Sequence, residues 1–289
     1  MKTIEVTRPL SALGVALGAL RSSAKRPGPV KALPKVTYVR PEVVLDAEHI
    51  AAYTRVCGLH PAQGVPVIYP QLLTFPLAMA FFGSEHCPWP ALGTVHLANR
   101  IYQHQALHVG DALRVEMRTG ELQAHEKGQV FHLEMAIMRN HVLVWEATQT
   151  LLRIGVHQPT GKAYESRIDS DAPLSRQADF AAPADTGRRY AKVSGDFNPI
   201  HLTQASARLF GFRQAIAHGL WTTARALAPL VPDAPMAQAE LEVEFKTPLF
   251  LPSTASLWST RKTLGTLFEV RNAQGDKPHV RGRLRYQAL

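Results

Sequence analysis

Cysteine is nearly missing from this chain. Cys57 and Cys87 are the only two in 289 residues, so no disulfide framework is available, and the usage fits a reducing compartment. Zinc chemistry gains little from them. Cys57, His60, His86 and Cys87 would have to act together, yet His86 and Cys87 are adjacent and no C-x-x-C pair exists. Long apolar runs are lacking too. Leu10–Leu20 is an apolar stretch flanked by Arg8 and Arg21, too short to span a bilayer. Glu5 and Thr7 interrupt its approach and no clear A-x-A cleavage site follows. A surface helix or strand is therefore expected there, not a secretory h-region, and the chain reads as cytoplasmic without a membrane span. Acidic residues are outnumbered, 23 against 32 Lys and Arg, for a net charge of +9. That balance favours anionic partners. The basic residues are dispersed with no recognition motif beside them, so nucleic acid is not an expected partner. Three catalytic signatures are also absent: the G-x-x-x-x-G-K-[ST] phosphate loop, the G-x-S-x-G elbow and H-E-x-x-H.

What is present points to a well-packed protein. Hydrophobic residues make up 46% and charged residues 19%, enough to bury a sizeable core in one large domain or two smaller ones. Residues 21–35 carry Arg21, Lys25, Arg26, Lys31 and Lys35 among Pro27, Pro29 and Pro34, and residues 1–35 read as a lead-in. Residues 159–183 are rich in Ser, Asp, Ala and Pro with little apolar periodicity, and read as a linker. The segments on either side, 36–158 and 184–289, echo each other. Tyr53-Thr54-Arg55-Val56-Cys57-Gly58 mirrors Tyr190-Ala191-Lys192-Val193-Ser194-Gly195, and Gln105–Gly110 mirrors Thr247–Pro252 in the same order.

Both segments follow one plan. An apolar helical stretch comes first, Pro76–Phe82 stopped by Gly83 in one and Gly219–Leu230 in the other. In the second, Leu220, Ala224 and Leu227 fall at i, i+4 and i+7, the spacing of one buried stripe. Strand-like runs follow: Ala112–Thr119, Val130–Met138 and Val142–Ile154, then Glu240–Phe245, Ala255–Thr260, Leu267–Arg271 and Val280–Tyr286. A helix followed by several antiparallel strands predicts an α+β unit, a sheet wrapped around a helix.

The stretch Tyr190–His201, Y-A-K-V-S-G-D-F-N-P-I-H, carries the chemistry. Asp196 and His201 are five positions apart with Asn198 and Pro199 between them. Pro199 disfavours helix at Asn198, and Asp and Asn before a proline favour a turn. Such a turn can bring a carboxylate and an imidazole to one water, a pairing suited to proton transfer in both directions. As a plain polar turn the same residues would do nothing more than reverse the chain.

The tract resembles the signature of the MaoC-like, (R)-specific enoyl-CoA hydratase family, which reads roughly S-G-D-x-N-P-x-H. Ser194, Gly195, Asp196, Asn198, Pro199 and His201 match it, and Ala217-His218-Gly219-Leu220 corresponds to the family's following element. The resemblance implies a double hot-dog fold, two tandem repeats with their sheets joined. It implies reversible hydration of trans-2-enoyl thioesters to (R)-3-hydroxyacyl thioesters with no separate cofactor and no metal, coenzyme A belonging to the substrate. It makes Asp196 and His201 the acid–base pair and Gly219 a backbone oxyanion donor. Asn198 becomes an orienting residue, with Ser194, His218 and Leu220 against substrate. The first repeat, which continues Leu59-His60-Pro61 after Gly58, lacks D-x-N-P-x-H and is expected to be degenerate. Partners implied are an acyl-CoA or an acyl-carrier-protein thioester, and a homodimer is left open.

Two other functions share this scaffold, a non-catalytic acyl-thioester-binding subunit and a thioesterase. Arg281, Arg283 and Arg285 alternate with apolar residues, giving a strand with one cationic face. That face reads either as solvated or as a contact for the phosphates of a coenzyme A tail or an acyl carrier.

Overall fold

A computed structural model of the chain describes residues 2–7, 25–26, 28–168, 172–263 and 265–289. The Leu10–Leu20 stretch lies outside them. The chain forms two compact units that do not follow sequence order. The first comprises Met1–Val44, Pro70–Arg100 and Asp111–Arg167, and the second Leu45–Tyr69, Ile101–Gly110 and Ile168–Leu289. No helix among the described residues is long and apolar enough to cross a membrane.

The first unit is built on strands β1 (Lys2–Glu5), β2 (Val36–Val44), β4 (Ala112–His125), β5 (Gly128–Arg139) and β6 (Val142–Ile154), with most of β3 (Thr94–Gln103) and the short β7 (Lys162–Ala163). β2, β4, β5 and β6 pair antiparallel in that order. Within the expected lead-in, β1 pairs parallel with β2. β5 and β6 are joined by Asn140 and His141, both at positive φ, as a two-residue turn matched to strand twist requires. Helix α2 (Gln71–Gly83) packs on β2 and β4. It buries Leu72, Leu73, Leu77, Ala78, Phe81 and Phe82, a helix apolar on most of its circumference. It begins five residues before the predicted start because Pro76 is tolerated inside it. A proline ordinarily opens a helix or breaks it.

In the second unit, strands β8 (Ser175–Ala182), β9 (Met236–Phe245), β10 (Ser253–Lys262), β11 (Gly265–Asn272) and β12 (Pro278–Ala288) form an antiparallel sheet in the order β9-β12-β11-β10-β8. Helix α5 (Gly219–Leu227) packs on β11 and β12. Its buried stripe is carried by Trp221, Ala224 and Leu227; Leu220, expected on that stripe, is half-exposed. β8 falls inside the stretch that reads as a linker. It is an edge strand with Phe180 and Ala182 as its only buried residues, so it carries no alternating signal to detect.

The internal echo corresponds to matching geometry. Helix α1 (Ala47–Cys57) and helix α3 (Thr186–Ser194) each end on a left-handed glycine, Gly58 at φ 63 and Gly195 at φ 76, the usual C-terminal device. Their rings Tyr53 and Tyr190 meet with centroids 6.1 Å apart. The second echo falls on the loops from β3 to β4 and from β9 to β10. Strand, helix, 3₁₀ turn, helix and four strands thus occur twice along the chain, the second time with a short extra helix, α4 (Gln204–Arg208), after the 3₁₀ turn.

The predicted cationic face of β12 is paired. Arg281, Arg283 and Arg285 lie across from Glu244, Glu242 and Glu240 of β9. Arg283 bonds Glu242, Arg285 reaches Glu240 at 3.4 Å, and Arg281 and Arg271 both hold the buried Glu269 at 2.6 Å. Opposite charges at the same period of two neutralise the face, so phosphate contact there is not supported.

Candidate active site

The Asp196–His201 loop is built by successive local hydrogen bonds. α3 stops at Gly195, whose N–H donates to the Ala191 carbonyl at 2.9 Å. The Ser194 hydroxyl accepts from the Asp196 N–H at 3.2 Å, Asp196 Oδ1 from the Asn198 N–H at 3.1 Å, and Asn198 Oδ1 from the Ile200 N–H at 3.4 Å. The last of these caps the 3₁₀ turn Pro199–His201. These turns are what Ser, Asp and Asn side chains form when they compete with helix. Ser194 and Asn198 therefore act here as loop builders, and Asn198 is exposed.

His201 is fixed from two directions. Its Nδ1 lies 2.8 Å from the Ile216 carbonyl, and the Ile216 N–H donates to the Ile200 carbonyl at 3.0 Å. The segment holding Ile216 is itself tied by Ala217 N–H to the Leu249 carbonyl and by Leu251 N–H to the Ala215 carbonyl, both at 2.8 Å. From the other side, Gly187 of α3 packs so closely that a Cβ there would lie 1.7 Å from the His201 carbonyl oxygen.

A third group joins the predicted pair. The His201 and His218 rings stack with centroids 3.7 Å apart at 26°. His218 Nε2 donates to the Asp196 carbonyl at 3.0 Å and lies 3.7 Å from Asp196 Oδ2. His201 and His218 are buried, while Asp196 is half-buried. One nitrogen or carboxylate oxygen from each of Asp196, His201 and His218 lies within 4.8 Å of the others. That is about the span of one water accepting and donating two hydrogen bonds. A carboxylate beside two imidazoles at this spacing is suited to moving a proton to and from a shared water.

Protonation states follow from the surroundings. Burial lowers the pKa of His201, against weaker upward pulls from Asp196 and the Ile216 carbonyl. Burial, then the neighbouring His201, bring His218 down to about 3. Both imidazoles are neutral at pH 7. A carbonyl accepts only, so His201 carries its proton on Nδ1 and its lone pair on Nε2. His218 Nδ1 is buried with no hydrogen-bond partner.

The depressed histidines make stability pH-dependent. An unfolded histidine takes a proton below about pH 6.5, whereas buried His218 resists it down to about pH 3. Stability is therefore undiminished above 6.5 and falls as pH drops between those limits, by roughly 1 kcal/mol per pH unit for His218. Urea midpoints at pH 7 and pH 5 should show the loss, and His218→Gln should remove part of it.

Gly219 is the first residue of α5, preceded by His218 at the N-cap. The His218 side chain makes no capping bond, because it is turned to Asp196. The first-turn N–H groups are thus left uncapped by it, at the positive end of the helix dipole. The place of a Gly219 Cβ is taken by the Phe245 ring, 2.5 Å away, so packing already requires the glycine. Leu220 sits half-exposed in the same turn.

The first repeat keeps this frame without its chemistry. A 3₁₀ turn, Pro61–Gln63, follows α1, and His60 Nδ1 accepts from the Ala62 N–H at 3.3 Å as Asn198 does from Ile200. Buried Gln63 holds the place of His201, and Leu59 stands between Gly58 and the cap with no carboxylate. Gln71 opens α2 where Gly219 opens α5, its amide bonded to Thr74 at 3.1 Å and to Asn99 at 3.0 Å. Sequence reasoning missed the stacking of His218. The available signal was a histidine at the N-cap of the predicted helix, 17 positions after His201.

These features define one class of protein, and the chain belongs to the MaoC-like family. The MaoC like domain matches residues 161–281. The 3-hydroxyacyl-thioester dehydratase X of Mycobacterium tuberculosis is 33% identical over 260 residues, covering 88% of this chain and 90% of that protein. The crystal structure of HtdX from the same organism aligns with a TM-score of 0.72 at 31% identity, over 88% of this chain and all of the other. A further M. tuberculosis protein, described as having a double hotdog fold, aligns at TM-score 0.60 and 13% identity over 90% of this chain and 97% of its own. It shows the fold alone. The chain is a double hotdog protein.

Proposed function

We propose that this chain is a hydro-lyase that adds water reversibly across the double bond of a trans-2-enoyl thioester, giving the (R)-3-hydroxyacyl thioester with coenzyme A as the carrier. The observation that carries the reading is the Asp196–His201 pair, with His201 neutral and aimed by its Nδ1–H···O=C bond. Asp196 and His201 hold one water. His201 Nε2 takes a proton as the hydroxyl oxygen bonds to the β carbon, and the electron pair of the double bond moves toward the thioester oxygen. The imidazolium, stabilised by the Asp196 carboxylate and the Ile216 carbonyl, returns that proton to the α carbon. Dehydration is the reverse. The Gly219 N–H at the start of α5 receives the developing oxyanion, a contribution worth about 3 kcal/mol in comparable sites. Asn198 and Ser194 keep the loop in shape, and Leu220 faces substrate beside Gly219. The chemistry belongs to the repeat 184–289, while 36–158 supplies a degenerate partner.

The test mixes purified chain with a trans-2-enoyl-CoA. Loss of the conjugated double bond and a product of R configuration by chiral chromatography are expected. Release of free thiol would instead identify a thioesterase, and binding without turnover a non-catalytic thioester carrier subunit.

A further inference from the structure

The second unit contains a cleft of about 190 Å³ lined by Arg55 and Gly58 at the end of α1, Thr186 and Arg189 of α3, and Trp221 and Arg225 of α5. Three arginines line it. Among the described residues none of the three meets a carboxylate, in contrast to the arginines of β12, each of which does. Arg225 is held in place. Its Nη1 donates to the Cys57 carbonyl at 3.2 Å, and its guanidinium lies 5.3 Å from the centre of the Phe180 ring. Gly58 makes room for it: a Cβ there would lie 1.6 Å from Arg225 Nη1. Partial burial of a cation with no anion beside it is unfavourable, and a bound anion offsets that cost. Arg55 and Arg189 are exposed and free to close on a ligand.

We propose that Arg55, Arg189 and Arg225 form a binding site for a multivalent phosphate anion, and that in turnover this anion is the phosphate of the thioester's carrier. The second clause rests on the hydro-lyase reading; the first does not. Guanidinium forks match phosphate oxygens bidentately, and three positive charges suit a di- or trianion. Arg225 lies six residues along α5 from Gly219, about 9 Å of helix axis. A pantetheine-linked substrate likewise separates its thioester from its phosphates by the length of the pantetheine arm.

Calorimetry on the full chain with inorganic pyrophosphate, free coenzyme A and phosphopantetheine tests the site. Wild type should bind pyrophosphate and coenzyme A, more weakly as salt rises. Arg55→Ala and Arg189→Ala should each weaken binding about tenfold with unchanged melting temperature, and Arg→Lys at either position should restore part of it. KM for an enoyl-CoA should rise about tenfold in the double variant, with kcat changing far less. Coenzyme A binding much tighter than phosphopantetheine assigns the nucleotide phosphates; equal binding assigns the phosphate common to both carriers. Failure of the wild type to bind any probe, or unaltered affinity in both variants, overturns the site. Pyrophosphate binding with no effect on KM keeps the anion site and overturns its role toward the carrier. A chain that binds these anions yet never hydrates an enoyl thioester removes the functional reading and leaves the site standing.

Discussion

His201→Ala slows hydration of an enoyl thioester by about 10² to 10⁴, and Asp196→Asn falls in the same range. The bond from His201 Nδ1 to the Ile216 carbonyl fixes the free lone pair on its Nε2. Without this imidazole, water has no positioned base and the α carbon no proton donor. Asp196→Asn is the cleaner variant for stability, because an asparagine Oδ1 still accepts from the Asn198 N–H. His201→Ala also strands the Ile216 carbonyl and uncovers one face of His218, so a stability loss of about 1–3 kcal/mol should accompany it. The double variant should be little slower than the worse single one, since the two groups act on one water. Protonated His201 has no lone pair to offer. Burial holds its pKa below the ordinary value, so kcat/KM should stay level around neutral pH and decline only below about pH 6.5. Stopped-flow or absorbance assays of the folded variants decide the matter. Rates within threefold of wild type for both would remove the pair from the mechanism.

The parts of this molecule that were legible are those whose signal is local. Val142–Ile154 was readable as a strand because β-branched and aromatic residues, Val142, Val144, Trp145, Thr148, Thr150 and Ile154, are dense in it. The D-x-N-P-x-H loop is likewise local, each side chain bonding a backbone group two positions on. Other features needed the tertiary fold. The His201–His218 stack joins residues 17 positions apart, and nothing in either residue's neighbours fixes ring on ring. The neutral face of β12 depends on strand order, because Glu240, Glu242 and Glu244 cancel its arginines only where β9 lies alongside. Helix α1 is an intermediate case. Ile50, Tyr53, Thr54 and Cys57 form a buried i, i+3, i+4, i+7 stripe behind an Asp46 cap, a pattern present in the sequence but overshadowed by the short echo at Tyr53–Gly58.

Gly187→Ala should be among the most damaging substitutions that touch no reacting atom. On helix propensity alone it would stabilise α3 by up to about 1 kcal/mol, since glycine is costly inside a helix. Packing opposes this. The new Cβ would fall 1.7 Å from the His201 carbonyl oxygen and 2.8 Å from its carbonyl carbon. The obstacle is main chain, which has no rotamer to turn aside, so either α3 or the His201 turn must move by more than 1 Å. Overpacking of this kind costs about 1–3 kcal/mol, enough to outweigh the propensity gain. Moving the turn also spoils the Nδ1 bond to Ile216 and the aim of Nε2, and a misplacement near 1 Å is worth about 10² in rate. The expected result is a lower urea midpoint together with a fall in kcat of about 10², with KM changing much less. Lys192→Ala on the exposed face of the same helix should leave both quantities near wild type. If Gly187→Ala proves as stable and as fast as wild type, α3 does not press on the His201 turn, and the positioning role assigned to that contact fails.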